Sequence, residues 1–509
     1  MYSMPIAILA LFITTSASAA APQAQKQHFV FISDTQYPWT EHSDNGTSES
    51  EEAKRRRSSQ FITEQAQATQ EYRAAMGGMD AVPLILNGDI TAFGHGWQRD
   101  FMYGRPFQLY GRNFLPGLGN HDYGNNVNKC ANNGCARDMY NDMRGWANAF
   151  VGRRDFDYSS YRERSSSAVI HHGSLSYSVI RGDVLLVQLQ NEPTYSTRFV
   201  SNGGDFTAQI SSSLEFLRRQ LQWARAAGKD VILSMHKPPY SNWQVNQDPV
   251  FVQLLKDNKD LILAIFAGHL HRQKGLVKRV EGIPVYLSGA AHYATWLTAT
   301  YDSTKRSLDV QLVERNAWNT PRHVGTSTAT ASRSTQALPA EPQFTNQGWG
   351  TWGRIAMCPT GQFITTLRVK GETAQDGGDD TALNAVRFLC AVPGQTGAAE
   401  LKSKEGTWGT WDTPQTCPGN RPAVGFSLRI EPLLGSGDDT AMGNLRLKCA
   451  DGSMLTGNPP AAWGQWGKLY ECPAGKALIG FTSKVEDKQG DGGDDTALNR
   501  IQMFCGSSG

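Results

Sequence analysis

The sequence predicts a layered α/β domain followed by an all-β region of three repeats. Short apolar runs alternate with helical patterns up to about residue 315, a Ser/Thr/Ala/Pro-rich stretch follows, and the last third repeats itself in register. At 509 residues the chain is too long for one ordinary core. Lysine plus arginine (49) nearly balances aspartate plus glutamate (47), for a formal net charge of +2. Nothing in that balance points to nucleic acid or a membrane surface.

The chain opens with an apolar run, Ile6 to Ile13, and small residues at Ala17, Ser18 and Ala19. Residues 1–20 therefore read as a cleaved secretory signal peptide, although without a leading Lys or Arg. The apolar run is much shorter than the roughly 20 residues needed to span a bilayer, so no transmembrane segment is expected in the mature protein. Eight cysteines fit an oxidising, secreted, periplasmic or extracellular location.

Residues 26–317 form the predicted α/β domain. His28 to Ser33, Val82 to Asn87, Val184 to Leu189, Val231 to Met235 and Leu261 to Ala267 read as buried strands. Glu51 to Met76 and Ser211 to Ala227 read as helices, and the basic run Lys54 to Arg57 as a solvated helix face. Residues 318–346 read as a flexible Ser/Thr/Ala/Pro-rich linker.

In residues 347–507, Trp349-Gly-Thr-Trp352, Trp408-Gly-Thr-Trp411 and Trp463-Gly-Gln-Trp466 each open a unit, and Asp379-Asp-Thr381, Asp438-Asp-Thr440 and Asp494-Asp-Thr496 recur in register. Each unit holds two cysteines at nearly constant separation, which implies equivalent pairing: Cys358 with Cys390, Cys417 with Cys449, Cys472 with Cys505. Cys130 and Cys135 are placed to close a small loop. Units too small to bury a face alone should pack about a pseudo-threefold axis.

Five polar clusters follow apolar runs in the α/β domain: Asp34-Thr-Gln36, Gly88-Asp89, Gly119-Asn-His-Asp122, His236 and Gly268-His-Leu-His271. Ligands collect at the carboxyl ends of strands in open α/β sheets, so these ends can converge. Carboxylates, imidazoles and amides together suit a transition metal such as Mn, Fe or Zn better than calcium.

In order and wording these clusters resemble the calcineurin-like metallophosphoesterase superfamily. The resemblance implies a four-layer sandwich of two mixed sheets flanked by helices, and two divalent metal ions bridged by a carboxylate and a water or hydroxide. By motif, Asp34, Gln36, Asp89 and His271 would hold the first ion, and Asp89, Asn120, His236 and His269 the second. His121 would act as general acid, oriented by Asp122. Gln36 stands where the family usually has His, which bears on the identity and occupancy of the first ion. The substrate would be a phosphomonoester or phosphodiester, hydrolysed by attack of the bridging hydroxide. Tyr37, Tyr123 and His292 are candidates to line the substrate cleft.

The three C-terminal units resemble the vitelline membrane outer layer protein family, which implies a β-prism of three sheets, with paired tryptophans filling the shared core. Such a module would serve binding or targeting to a glycan or cell-envelope surface. The alternative reading is a surface- or glycan-binding structural protein whose phosphoesterase domain is degenerate at Gln36.

Overall fold

The computed structural model describes residues 26–162, 168–239, 248–332, 335–337, 350–373, 382–396, 399–430, 442–460, 463–486 and 498–507. The signal-peptide segment, Trp349 and the three Asp-Asp-Thr turns lie outside these residues. Among the described residues, no helix is long and apolar enough to cross a membrane.

Two mixed sheets build the N-terminal part. The six-stranded sheet runs in the order Arg322–Thr328, Ser307–Val313, Trp296–Asp302, Lys26–Ile32, Leu84–Leu86, Phe114–Pro116, and its last three strands are parallel. The seven-stranded sheet runs Lys274–Val280, Ile283–Ser288, Ile262–Ala267, Asp230–Ser234, Val184–Gln188, Tyr177–Arg181, Arg153–Phe156. Its middle strands from Ile283–Ser288 to Val184–Gln188 are likewise parallel. These strands read as continuous apolar runs because both faces are covered. Phe31 stacks on Phe266 with ring centroids 3.6 Å apart, joining the two sheets through one core.

Both expected helices form. Glu51–Ala75 is capped by Ser50, whose side chain accepts from Ala53 N, and it buries Ile62, Ala66, Thr69 and Tyr72 at helical spacing. Leu214–Ala226 buries Phe216, Leu217, Leu221 and Trp223 in the core that includes Leu185, Val187 and Val231 of the seven-stranded sheet. A four-stranded sheet of Ser159–Arg162, Val169–His172, Phe206–Ile210 and Thr197–Ser201 was not anticipated.

Of residues 318–346, expected to form a flexible linker, two described stretches are strands. Arg322–Thr328 is an edge strand paired antiparallel with Ser307–Val313, and Thr335–Ala337 pairs with Leu498–Gly506 at the far end of the chain. Between them, Thr330 and Ala331 donate to Asp260 O. Ser and Thr lower hydrophobicity, yet Thr and Val at alternating positions also suit a half-exposed edge strand.

The C-terminal part is all β: three five-stranded sheets around one core of Leu367, Phe388, Leu428, Leu447, Phe481 and Met503. Each central hairpin takes an outer strand from a different repeat. Thr410–Trp411 pairs with Phe363–Gly371, Gln465–Trp466 with Ala423–Ile430, and Thr351–Trp352 with Ala477–Val485. This cyclic exchange closes the module and explains why one unit cannot stand alone. The three expected disulfides tie each exchanged segment back to its own hairpin, and Cys130 pairs with Cys135.

The repeats also show where the two parts meet. Arg387 covers Trp411 and Arg446 covers Trp466, each with its guanidinium 4.4 Å from the ring centroid. The corresponding position of the third repeat is Gln502, and there Arg154 of the N-terminal part covers Trp352 at 5.0 Å while its guanidinium also lies 4.6 Å from Trp223.

Candidate metal centre

The clusters singled out in the sequence lie at the carboxyl ends of parallel strands from both sheets, and their loops are bonded to one another. Asp34 N donates to Gly88 O, Gln36 N to Asp89 O, and Gly268 N to His236 O. Asp34, Gln36, Asp89 and His269 all adopt left-handed backbone, with φ of 52°, 42°, 52° and 69°. Such conformations cost about 1–3 kcal/mol each for ordinary residues, and they turn consecutive side chains into one space. Gly119 permits the closest approach: a Cβ there would lie 2.1 Å from Asp89 Oδ1.

Asp89, Asn120, His236 and His269 converge. His236 Nε2 lies 3.0 Å from Asp89 Oδ2, 3.1 Å from Asn120 Oδ1 and 3.3 Å from His269 Nδ1. His236 Nδ1 bonds to Asn87 O at 2.9 Å, which fixes that nitrogen as the donor of the neutral ring. The remaining lone pair then faces a carboxylate oxygen, an amide oxygen and another imidazole nitrogen. Acceptors facing acceptors in a buried site require a cation or an added proton between them.

Asp34, Gln36 and His271 sit beside them. His271 Nε2 lies 3.3 Å from Asp34 Oδ1, and neither polar atom of the buried Gln36 side chain has a hydrogen-bond partner. A fully buried amide with nothing bonded is costly, and a cation on its oxygen removes half of that cost. The donor set of carboxylates, imidazoles and amides fits divalent metal binding.

Asp44 was missed by sequence reasoning. It sits in the five-residue helix Glu41–Asn45 and accepts from Trp39 Nε1 at 2.7 Å and Tyr293 Oη at 3.0 Å. Its carboxylate also lies 2.7 Å from His271 Nδ1 and 3.0 Å from His292 Nε2. A carboxylate behind a histidine whose other nitrogen faces the centre is the arrangement that orients metal-binding imidazoles.

His121 lies at the mouth. Its Nδ1 bonds to Ala92 O at 2.9 Å, and its ring meets Trp39 and Phe93 edge-on at 5.1 and 5.9 Å. The expected role of Asp122 is corrected. Its carboxylate accepts from Gly119 N, Ile90 N, Thr91 N and Thr91 Oγ1, so it ties two loops together, and the Ala92 carbonyl orients His121. The three cleft candidates differ in surroundings. Tyr123 is fully buried beside Tyr195, Tyr37 is buried and stacked on Phe101, and His292 is held by Asp44. Tyrosine next to a polar motif signals little by itself, because the same pattern serves core packing.

Burial would push Asp34 and Asp89 up, but the imidazoles facing them outweigh it and hold both below the usual carboxylate range. Burial alone would lower His236 and His271; the carboxylates raise them instead, to about 9 and about 10. Asp122, buried and facing the Asp89 charge, rises to about 7. Burial, with His236 beside it, lowers His269 to about 3. The direction of both shifts shows that the carboxylates favour positive charge at this place.

A family model described as vitelline membrane outer layer protein I matches residues 342–508. The chain is 42% identical over 168 residues to the vitelline membrane outer layer protein 1 homolog of Mus musculus, covering 32% of this chain and 82% of that protein. It is 43% identical over 162 residues to the Homo sapiens homolog, covering 31% and 77%. Among solved structures, a purple acid phosphatase from yellow lupin (Lupinus luteus) is 11% identical with a TM-score of 0.36, covering 60% of this chain and 55% of that one. A calcineurin-like phosphoesterase from Bacillus subtilis is 13% identical with a TM-score of 0.31, covering 60% and 90%.

Proposed function

The chain belongs to the vitelline membrane outer layer protein I family through residues 342–508, and we propose that its N-terminal part is a metal-dependent phosphoesterase. One observation carries this reading: Asp89, Asn120, His236 and His269 bring a carboxylate oxygen, an amide oxygen and two imidazole nitrogens within 3.3 Å of one another or of His236 Nε2 in one buried space. On this reading the two mixed sheets and their helices form a four-layer sandwich, and the C-terminal sheets a β-prism. The protein is exported, and the prism holds it at a glycan or cell-envelope surface.

Asp34, Gln36, Asp89 and His271 would hold one ion, and Asp89, Asn120, His236 and His269 the other. When bound, a pair of divalent cations lowers the pKa of water and neutralises phosphate oxygens. The chain's own residues supply the rest. The Asn87 carbonyl keeps His236 in the tautomer that presents Nε2 to the centre, and Asp44 does the same for His271. The Ala92 carbonyl accepts a hydrogen bond from His121 Nδ1, leaving Nε2 as the nitrogen that faces the reaction. As water oxygen bonds to phosphorus, the bond to the leaving oxygen breaks with its electron pair. The doubly protonated His121 ring gives that oxygen its Nε2 proton and is left neutral with Nδ1–H on the Ala92 carbonyl, while the attacking water loses a proton to solvent, from which the ring is reprotonated.

The test is hydrolysis of p-nitrophenyl phosphate and bis-p-nitrophenyl phosphate by the full chain with Mn²⁺. Activity that depends on the ion and disappears in Asp89→Ala and His236→Ala supports the assignment. Full activity in either variant overturns it.

A further inference from the structure

We propose that the leaving-group side of the site is an aromatic subsite, and that the preferred substrates are phosphoesters whose leaving group carries a flat aromatic ring. The proposal rests on the reading of His121 as general acid. A group that protonates the leaving oxygen must lie within hydrogen-bond reach of it, so the atoms beyond that oxygen must pass over whatever surrounds the imidazole.

Around His121 that surface is made of rings. Trp39 lies edge-on at 5.1 Å and Phe93 at 5.9 Å. On the same segment as Phe93, Trp97 meets Tyr37 edge-on at 5.7 Å. Phe93 is 46% exposed and Trp97 40% exposed, so neither ring is accounted for by core packing.

The rings are also held in place before anything binds. Trp39 Nε1 donates to Asp44 at 2.7 Å, and Phe93 N donates to Gln98 Oε1 at 2.9 Å. The single donor of the Trp39 indole is therefore spent, and Phe93 has none, so this wall offers apolar faces and edges to a ligand. A bare sugar or glycerol would lose water from its hydroxyls here without replacement bonds, whereas a flat ring gains contact. Beyond the rings, Arg55 lies 4.1 Å from the Trp97 centroid and Lys54 5.8 Å from that of Trp39, giving the rim a positive margin suited to an anionic ester.

Binding of non-hydrolysable phosphonates separates this proposal from the one beneath it. Phenylphosphonate and methylphosphonate are titrated by calorimetry into the full-length, Mn²⁺-loaded protein and into Phe93→Ala and Trp97→Ala. The phenyl compound is expected to bind about tenfold more tightly than the methyl compound, and Phe93→Ala to reduce that preference by about fivefold. Equal affinities in the wild-type protein, or an unchanged ratio in both variants, overturn the aromatic subsite while leaving the phosphoesterase reading in place. If neither phosphonate binds, both readings are overturned.

Discussion

Replacing Asp44 by Asn tests how the centre is held. Asn keeps the volume but removes the charge and one acceptor, so the 2.7 Å contact to His271 Nδ1 and the 3.0 Å contact to His292 Nε2 lose their carboxylate. His271 then faces a neutral amide that can present either oxygen or nitrogen, so its tautomer and ring position are held less firmly. Loss of a partner behind a metal-binding histidine typically costs about 10- to 100-fold in affinity, or ~1.4–2.7 kcal/mol. The loss should fall on the ion proposed at Asp34, Gln36 and His271, because the histidine of the proposed ligand sets that Asp44 bonds is His271. Competition against a fluorescent chelator, fitted to two sites, resolves this. A weakened first site beside an unchanged second site agrees with the reasoning; equal weakening of both, or none, refutes it.

Three further outcomes are expected. Gly119→Ala places a Cβ 2.1 Å from Asp89 Oδ1 and should reduce kcat/KM by about 100-fold, whereas near wild-type turnover would show that the loop relaxes freely. Arg154→Ala removes the cation held between Trp223 and Trp352 and should weaken docking of the two parts by about 1–2 kcal/mol. Calorimetry should then show their melting separate, and an unchanged transition would contradict the contact's importance. Burial, then Arg144 and His172, lowers His171 from 6.5 to about 4. Because the folded value lies below the unfolded one, the neutral ring favours folding: that stability is complete above pH 6.5 and fades as pH falls toward 4. Melting temperatures at pH 7 and 4.5 should drop further for the wild type than for His171→Gln, and equal drops would exclude this group as the cause.

Asp89, Gly119 to Asp122 and His269 were readable because each motif follows an apolar strand, and strand ends are where an α/β sheet gathers polar groups. Their chain order sufficed to bring residues from 34 to 271 into one site. Asp44 left no such trace: it belongs to a short loop helix without periodicity and reaches His271 across 227 positions. Asp122 was legible as a buried carboxylate, but not that its partners would be backbone N–H groups of the neighbouring loop. The segment after residue 318 misled for a compositional reason, since Ser and Thr serve edge strands as readily as linkers. The repeats gave the threefold pattern outright. The substitution of Gln502 for the arginine of the other two units acquires meaning only once Arg154 is seen over Trp352.

The count of divalent ions bound per chain bears most directly on the central claim. Equilibrium dialysis of the full-length protein against Mn²⁺, followed by elemental analysis, should find two ions per chain in the wild type and a loss of both in Asp89→Ala, the residue between the two groups of ligands. A wild-type protein that retains no ion under these conditions, or an Asp89→Ala variant that retains two, would contradict the account.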